Sequence, residues 1–275
     1  MALGEKRLVG LAKRLQQLFF EPDRLGGHGG EPPLGERDAL AEVAGRDSVA
    51  AAVAFARRGE ISRVLPTIAY TGTEYGEPDV LLSNLGRLHS LLEPMGIEVL
   101  EPAIVGSPRW WNETIGRVNS VLTQRYGPWH ICVGCHMYLH ATRVPLAWTT
   151  GATRLIAGER LGHGGKVKIN QTKAAVAAYR KALGEWGISL EMPILEVDDE
   201  EATIDLVGEW KEGDLQPACV LSGNYRDLEG RADYDSEKLR AYLEDYAIPV
   251  TSHILAALRE KGKAEYGAIV RELLK

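Results

Sequence analysis

Leu8, Leu11, Leu15 and Phe19 recur at helical spacing, so an amphipathic helix is predicted over residues 5–20. Its apolar stripe needs a partner surface, either the rest of the chain or a second copy in a homodimer. Residues 21–36 break the pattern with Gly26-Gly27-His28-Gly29-Gly30 and Pro32-Pro33, and read as a linker. Short apolar runs at 39–43, 64–70, 97–100, 154–157 and 190–195 then predict strands. Helical spacing at 49–58, 80–93, 112–124, 136–148 and 172–186 predicts helices between them, with Leu81, Leu85, Leu88 and Leu92 on one face of the second. Strand and helix in alternation give the α/β class: a mainly parallel sheet of about five strands, joined by right-handed crossovers and covered on both faces. Helices at 202–209, 236–244 and 252–274, the last broken near Gly262, complete the chain.

The expected organisation is an N-terminal helix and linker (1–36), an α/β domain (37–230) and a C-terminal helical extension (231–275). In such sheets ligands collect at the carboxyl ends of the strands. The turn at 44–48, Thr71 to Thr73 and Gly158 to Arg160 all fall there.

Composition adds limits. With 45% hydrophobic and 25% charged residues the chain is an ordinary globular protein. A net charge of −6 excludes a broad basic surface for a nucleic-acid backbone, leaving Arg154, Arg160, Lys166, Lys168 and Lys173 as a local basic stripe or a solvated face. No apolar run is long enough to span a membrane, and the first twenty residues lack the pattern of a secretion signal, so a cytoplasmic protein is expected.

The only three cysteines are Cys132 and Cys135, spaced C-x-x-C, and the distant Cys219. In a reducing compartment such a set points to metal binding or catalysis rather than cross-linking. Three arrangements suit it: a zinc site closed by His136 or His140, a 4Fe-4S cluster with one iron open, or a redox pair beside a free thiol. Gly134 would allow a tight turn between the paired ligands. Cys132 to His136 also matches the c-type haem pattern, which fits poorly without an export signal.

Between the first strand and the first helix lies Ala44-Gly45-Arg46-Asp47-Ser48. Small residues there let a phosphate approach the backbone, and the N–H groups opening the helix point at it. Asp47 and Ser48 can hold Mg2+ or orient phosphates. With Val43 in front, the segment resembles the Ser-Gly-Gly-x-Asp-Ser signature of the PP-loop ATP pyrophosphatase superfamily (adenine nucleotide alpha hydrolase-like). Val43 and Ala44 stand where that signature has Ser and its first Gly.

The cysteines are similar to those of one subgroup, the iron–sulfur-dependent tRNA thiolases and related sulfur transferases, which carry a C-x-x-C in mid-domain and a further Cys downstream. The likeness covers residues 39–225. It implies that Cys132, Cys135 and Cys219 hold a 4Fe-4S cluster, and that ATP adenylates an acceptor oxygen which sulfur from a donor then replaces. The acceptor would be a small molecule or a tRNA base. Release of sulfur from a thiolated compound without ATP, or zinc-stabilised nucleotide binding with no turnover, are the alternatives.

Members of that superfamily hold adenosine after the second strand, here Tyr70-Thr71-Gly72-Thr73. The long polar loop from Gly158 to Gln171 offers Glu159 as a base or Mg2+ ligand and Lys166 and Lys168 as phosphate partners. In the thiolases this position carries Gly-His and a later Asp; here Gly158 matches, Glu159 replaces the His, and no Asp follows. His136 and His140 share a helix face and are expected to pack against the cysteine site. Gln216, Ser222, Asn224 and Tyr225 either shape a pocket or satisfy a turn. Trp110-Trp111 is a base-stacking platform or core.

Overall fold

Asp38–Glu42 (β2) is buried along nearly its whole length, which requires covered neighbours on both sides and both faces. The computed structural model describes residues 19–20, 33–76, 79–210 and 216–275 and supplies those neighbours. Phe19–Phe20 (β1), Arg63–Ala69 (β3), Glu98–Val99 (β5), Ala103–Val105 (β6), Arg154–Ile156 (β7) and Ser189–Glu191 (β8) join β2 in a seven-stranded sheet. Its order is β1-β6-β3-β2-β7-β8, with β5 also on β3, and every pairing is parallel. Between the pairs Val64↔Val99 and Thr67↔Ala103 the outer strand carries an extra residue. This bulge sits opposite Pro66, which has no N–H to offer the ladder.

Alternation along the strands fills two cores. Leu40, Leu65, Leu155 and Leu190 face one side, packing with helices His130–Ala141, Val144–Thr150 and Lys173–Gly184. Ala39, Ala41, Val64 and Ile156 face the other, packing with helices Arg46–Ala56, Asp79–Leu92 and Glu200–Val207. Among the described residues the helices in chain order are α1 (Arg46–Ala56), α2 (Asp79–Leu92), α3 (Pro108–Trp111), α4 (Asn119–Tyr126), α5 (His130–Ala141), α6 (Val144–Thr150), α7 (Lys173–Gly184) and α8 (Glu200–Val207). Ser236–Tyr242 (α9), Ile248–Lys261 (α10) and Tyr266–Leu273 (α11) follow and pack behind α4, α6 and α7. Gly262, in the left-handed region, ends α10 at the expected break.

Several expectations are corrected. Residues 5–18 of the predicted N-terminal helix and 21–32 of the linker lie outside the described residues, but Phe19–Phe20 is a strand. It pairs with the open edge of β6, whose backbone groups offer what a helix end cannot. The helix expected over 136–148 begins at His130 and is interrupted after Ala141, so the C-x-x-C lies inside α5 and not in a turn. The fifth strand ends at Glu191 rather than 195. The helix expected over 112–124 starts with a wide π turn, Asn112–Gly116.

Candidate functional site

Chain order runs outward from β2 in both directions, to β3 on one side and β7 on the other. The connections leaving the carboxyl ends of β2 and β7 therefore diverge and open a crevice. Here the structure has a cavity of about 1110 Å³, onto which the turn at 44–48, Glu159 and all three cysteines open.

The turn after β2 is held by Ser48, whose Oγ accepts from the N–H groups of Ala44 (3.0 Å) and Gly45 (3.1 Å) and donates to the Gly45 carbonyl (2.7 Å). Gly158, just past β7, packs against the first turn of α1: a Cβ there would lie 2.5 Å from the Ser48 nitrogen. Ala44 keeps a negative φ, so Ala in place of Gly costs nothing there. Val43 is buried in the core under α1. Asp47 pairs through Oδ2 with the buried Arg160 (3.2 Å), while Oδ1 lies 3.6 Å from Arg46 and makes no hydrogen bond. Arg46 reaches out to Glu200. Lys168 lines the cavity, and burial lowers its pKa.

Glu74–Tyr75 (β4) and Ala218–Cys219 (β9) form a two-residue antiparallel ribbon, Glu74 opposite Cys219. This is what carries the distant thiol to the pair. Glu74 gathers the preceding turn, its carboxylate accepting from Thr71 N–H and Oγ1 and from Gly72 N–H. Gly72, at φ +90°, supplies the bend. The hydroxyls of Thr71 and Thr73 are 2.8 Å apart, and Thr73 Oγ1 is 3.3 Å from Cys219 Sγ. Tyr70 stands half-open at the rim, 41% exposed.

Cys132 and Cys135 lie three residues apart on one face of α5. Cys132 Sγ donates to Asn224 Oδ1 (2.7 Å), and Asn224 Nδ2 donates to the Pro128 carbonyl (2.6 Å), tying the Cys219 loop to the start of α5. Burial, with a smaller contribution from the nearby Cys219, pushes the Cys132 thiol up to about 11 and the Cys135 thiol up to about 12. Gly134 faces the opposite way, onto Tyr242.

Farther along the same helix, His136 Nδ1 lies 2.9 Å from Glu159 Oε1, and His140 Nε2 lies 3.1 Å from the same oxygen. His140 Nδ1 is 2.7 Å from Glu42 Oε1, and Arg143 holds that oxygen at 3.1 Å. Burial opposes charge on His140, but Glu42 and Glu159 outweigh it and raise its pKa to about 9. Burial likewise works against a charged Glu159, yet His136 and His140 hold it far below the carboxylate range.

Sequence reasoning located the turn, Lys168, Glu159 and the cysteines, all of which meet at the cavity. Lys166 is exposed and, like Gly72, lies outside its lining. Trp110 is core, stacked on Tyr266 at 5.9 Å and edge-on to Tyr138, whereas Trp111 does line the cavity. Glu42, Glu74, Arg143 and Asn170 were missed. A charged residue ending a buried strand, as Glu42 does, was the available signal.

No protein-family model matches the chain. An uncharacterized protein of Methanocaldococcus jannaschii, MJ0009, is 35% identical over 239 residues, covering 86% of this chain and 86% of that protein. The chain belongs to the same family as this archaeal protein. Among solved structures, a 4-thiouridine synthetase in complex with RNA and bound ATP is similar over 90% of this chain at 15% identity and a TM-score of 0.48. The chain spans 55% of that synthetase. The U34-tRNA thiolase NcsA of Methanococcus maripaludis, with its 4Fe-4S cluster, is similar over 96% of this chain and 77% of that one, at 13% identity and a TM-score of 0.39.

Proposed function

We propose that the protein is an ATP-dependent sulfur transferase of the PP-loop kind, adenylating an acceptor and thiolating it beside a cysteine-held 4Fe-4S cluster. The observation that carries this reading is that the phosphate turn and three otherwise isolated cysteines open on one cavity at the divergence of β2 and β7. The thiols suit the group: they are clustered closely enough to raise one another's pKa, and iron would relieve the cost of their charge. Held by Cys132, Cys135 and Cys219, a 4Fe-4S cluster would supply an iron with an open position for inorganic sulfide.

The N-terminal amides of α1 would receive the β- and γ-phosphates of ATP, with Lys168 and Arg160 offsetting their charge. Asp47 Oδ1, which lacks a hydrogen bond, is the group suited to Mg2+. The acceptor's carbonyl oxygen forms a bond to the α-phosphorus while the bond to the β-phosphate oxygen breaks and pyrophosphate leaves. Sulfide supplied by the donor then forms the carbon–sulfur bond as the carbon–oxygen bond breaks and AMP departs. Glu159, held ionised by two imidazoles, is a weak base and serves to position them. The acceptor is a small molecule or a single tRNA base, since the net charge of −6 disfavours an extended nucleic-acid track.

One feature favours a second reading. Val43 is buried where the resemblance has Ser, and the Ser48 hydroxyl is spent inside the turn, so two hydroxyls are withdrawn from a triphosphate. Sulfur removal from a thiolated compound without ATP would need neither. Anaerobic purification tests both readings: about four irons and four sulfides per chain are expected, lost in Cys219→Ala. Iron content unchanged by that substitution would overturn the cluster, and colourless zinc protein would leave only nucleotide binding. Pyrophosphate release on adding ATP and acceptor decides between transferase and desulfidase.

A further inference from the structure

Past the thiols, α5 and the loop after β7 converge on a second set of donors for which the sulfur chemistry has no use. His136, His140 and Glu159 bring one ligand atom each within 4.8 Å of one another, at the wall of the same cavity. We propose that these three side chains hold a divalent transition-metal ion, distinct from whatever the cysteines bind, with its remaining positions open to the cavity.

Two imidazoles and a carboxylate form a donor set suited to zinc(II) and iron(II), and the i, i+4 spacing on α5 aims both rings to one side. The surroundings match as well. A ligating imidazole is normally fixed by a carboxylate on its other nitrogen, and His140 Nδ1 meets Glu42 at 2.7 Å while Arg143 anchors Glu42 from behind. The other nitrogen of His136 faces the Asn170 amide at 2.8 Å, and half a turn of that amide presents its carbonyl.

Two polar atoms are also poorly satisfied, His140 Nε2 because its 3.1 Å approach to Glu159 Oε1 lacks hydrogen-bond geometry. His140 Nε2 and Glu159 Oε2 are buried and make no hydrogen bond, in residues whose side chains are 1% and 4% exposed. Unsatisfied buried polar atoms are rare, and a cation that takes the place of the His140 Nε2 proton and binds the carboxylate removes the cost. An ion there would take a carbonyl or phosphoryl oxygen of the substrate as a further ligand. The inference stands whether the cysteines hold iron, zinc or nothing.

The test separates the two donor sets. The full-length Cys132→Ser/Cys135→Ser/Cys219→Ser protein, dialysed against zinc(II), is expected to retain one equivalent. Cobalt(II) in its place is expected to give visible d–d bands without the intense ultraviolet band of thiolate ligation. His136→Ala in that background should abolish retention; its side chain is 29% exposed, so the fold should tolerate the change. Glu42→Gln, acting through His140, should weaken binding about 10–100-fold.

No retained zinc in a thiol-free protein with the wild-type melting transition, or equal retention after His136→Ala, would overturn the proposal. Should the thiol-free protein fail to fold, wild type and His136→Ala are compared directly. One equivalent fewer in the variant supports the site, and equal metal content refutes it.

Discussion

Gly158 has no room for a side chain: a Cβ would sit 2.5 Å from the Ser48 nitrogen and 2.6 Å from the Asp47 carbonyl carbon, both backbone atoms of the turn after β2. The close approach of the β7 loop to α1 is therefore built on hydrogen at this Cα. Gly158→Ala must push the two backbones apart, which should cost about 1–3 kcal/mol of stability. Under the proposed function ATP affinity should fall with it, because the α1 amides would move. Gly86 is the control, exposed inside α2 with nothing within 4 Å of where a Cβ would lie and no positive φ. Gly86→Ala should instead stabilise by up to about 1 kcal/mol. Urea melts of both variants and a nucleotide titration of the first check this, and a Gly158→Ala protein as stable as wild type would contradict the packing.

At the scale of elements, α5 bears thiols and imidazoles on one face and a glycine on the other. A Cβ on Gly134 would lie 2.3 Å from the Tyr242 hydroxyl oxygen, whereas its next neighbours, in Ile115, are at an ordinary 3.5 Å. Gly134→Ala should thus destabilise by about 1–3 kcal/mol through that one oxygen. Tyr242→Phe, which deletes it, should restore much of the loss in a double-mutant cycle, and additive effects would show that the helices meet otherwise.

This glycine also marks where the sequence misleads. Read locally, Cys-Val-Gly-Cys suggests a turn; only the packing of α9 on α5 makes Gly the residue a helix needs there. The turn after β2 was legible because apolar strand, small residues and Ala-rich helix are all local signals. β4, β9 and β1 were not, since two-residue strands carry no periodicity and exist only through partners far along the chain. For the same reason Cys132 and Cys135 were legible as neighbours, whereas the arrival of Cys219 depended on a ribbon invisible in sequence.

Across the whole molecule the candidate site lies at the carboxyl ends of the strands, and a separate buried ion pair lies at the amino ends. At the amino end of β2 the buried Asp38 carboxylate accepts from Arg63 Nη2 at 2.5 Å and from the Gly35 N–H at 2.7 Å. Burial alone would raise the Asp38 pKa, but these two hydrogen bonds and the guanidinium charge overcome it and lower it. A carboxyl with a depressed folded-state pKa binds its proton more readily when unfolded. Its contribution is complete above the unfolded value of about 3.9 and is lost as pH falls through the lower folded value. Asp38→Asn should cost about 1–3 kcal/mol near neutrality, where the Arg63 side chain loses a charged partner. The gap between wild type and variant should then close as the pH is lowered from about 5 towards 2.5, because wild type forfeits the same interaction by protonation. Urea midpoints measured across that range decide it. A gap that stays constant with pH would mean that Asp38 contributes through packing and its hydrogen bonds rather than through its charge.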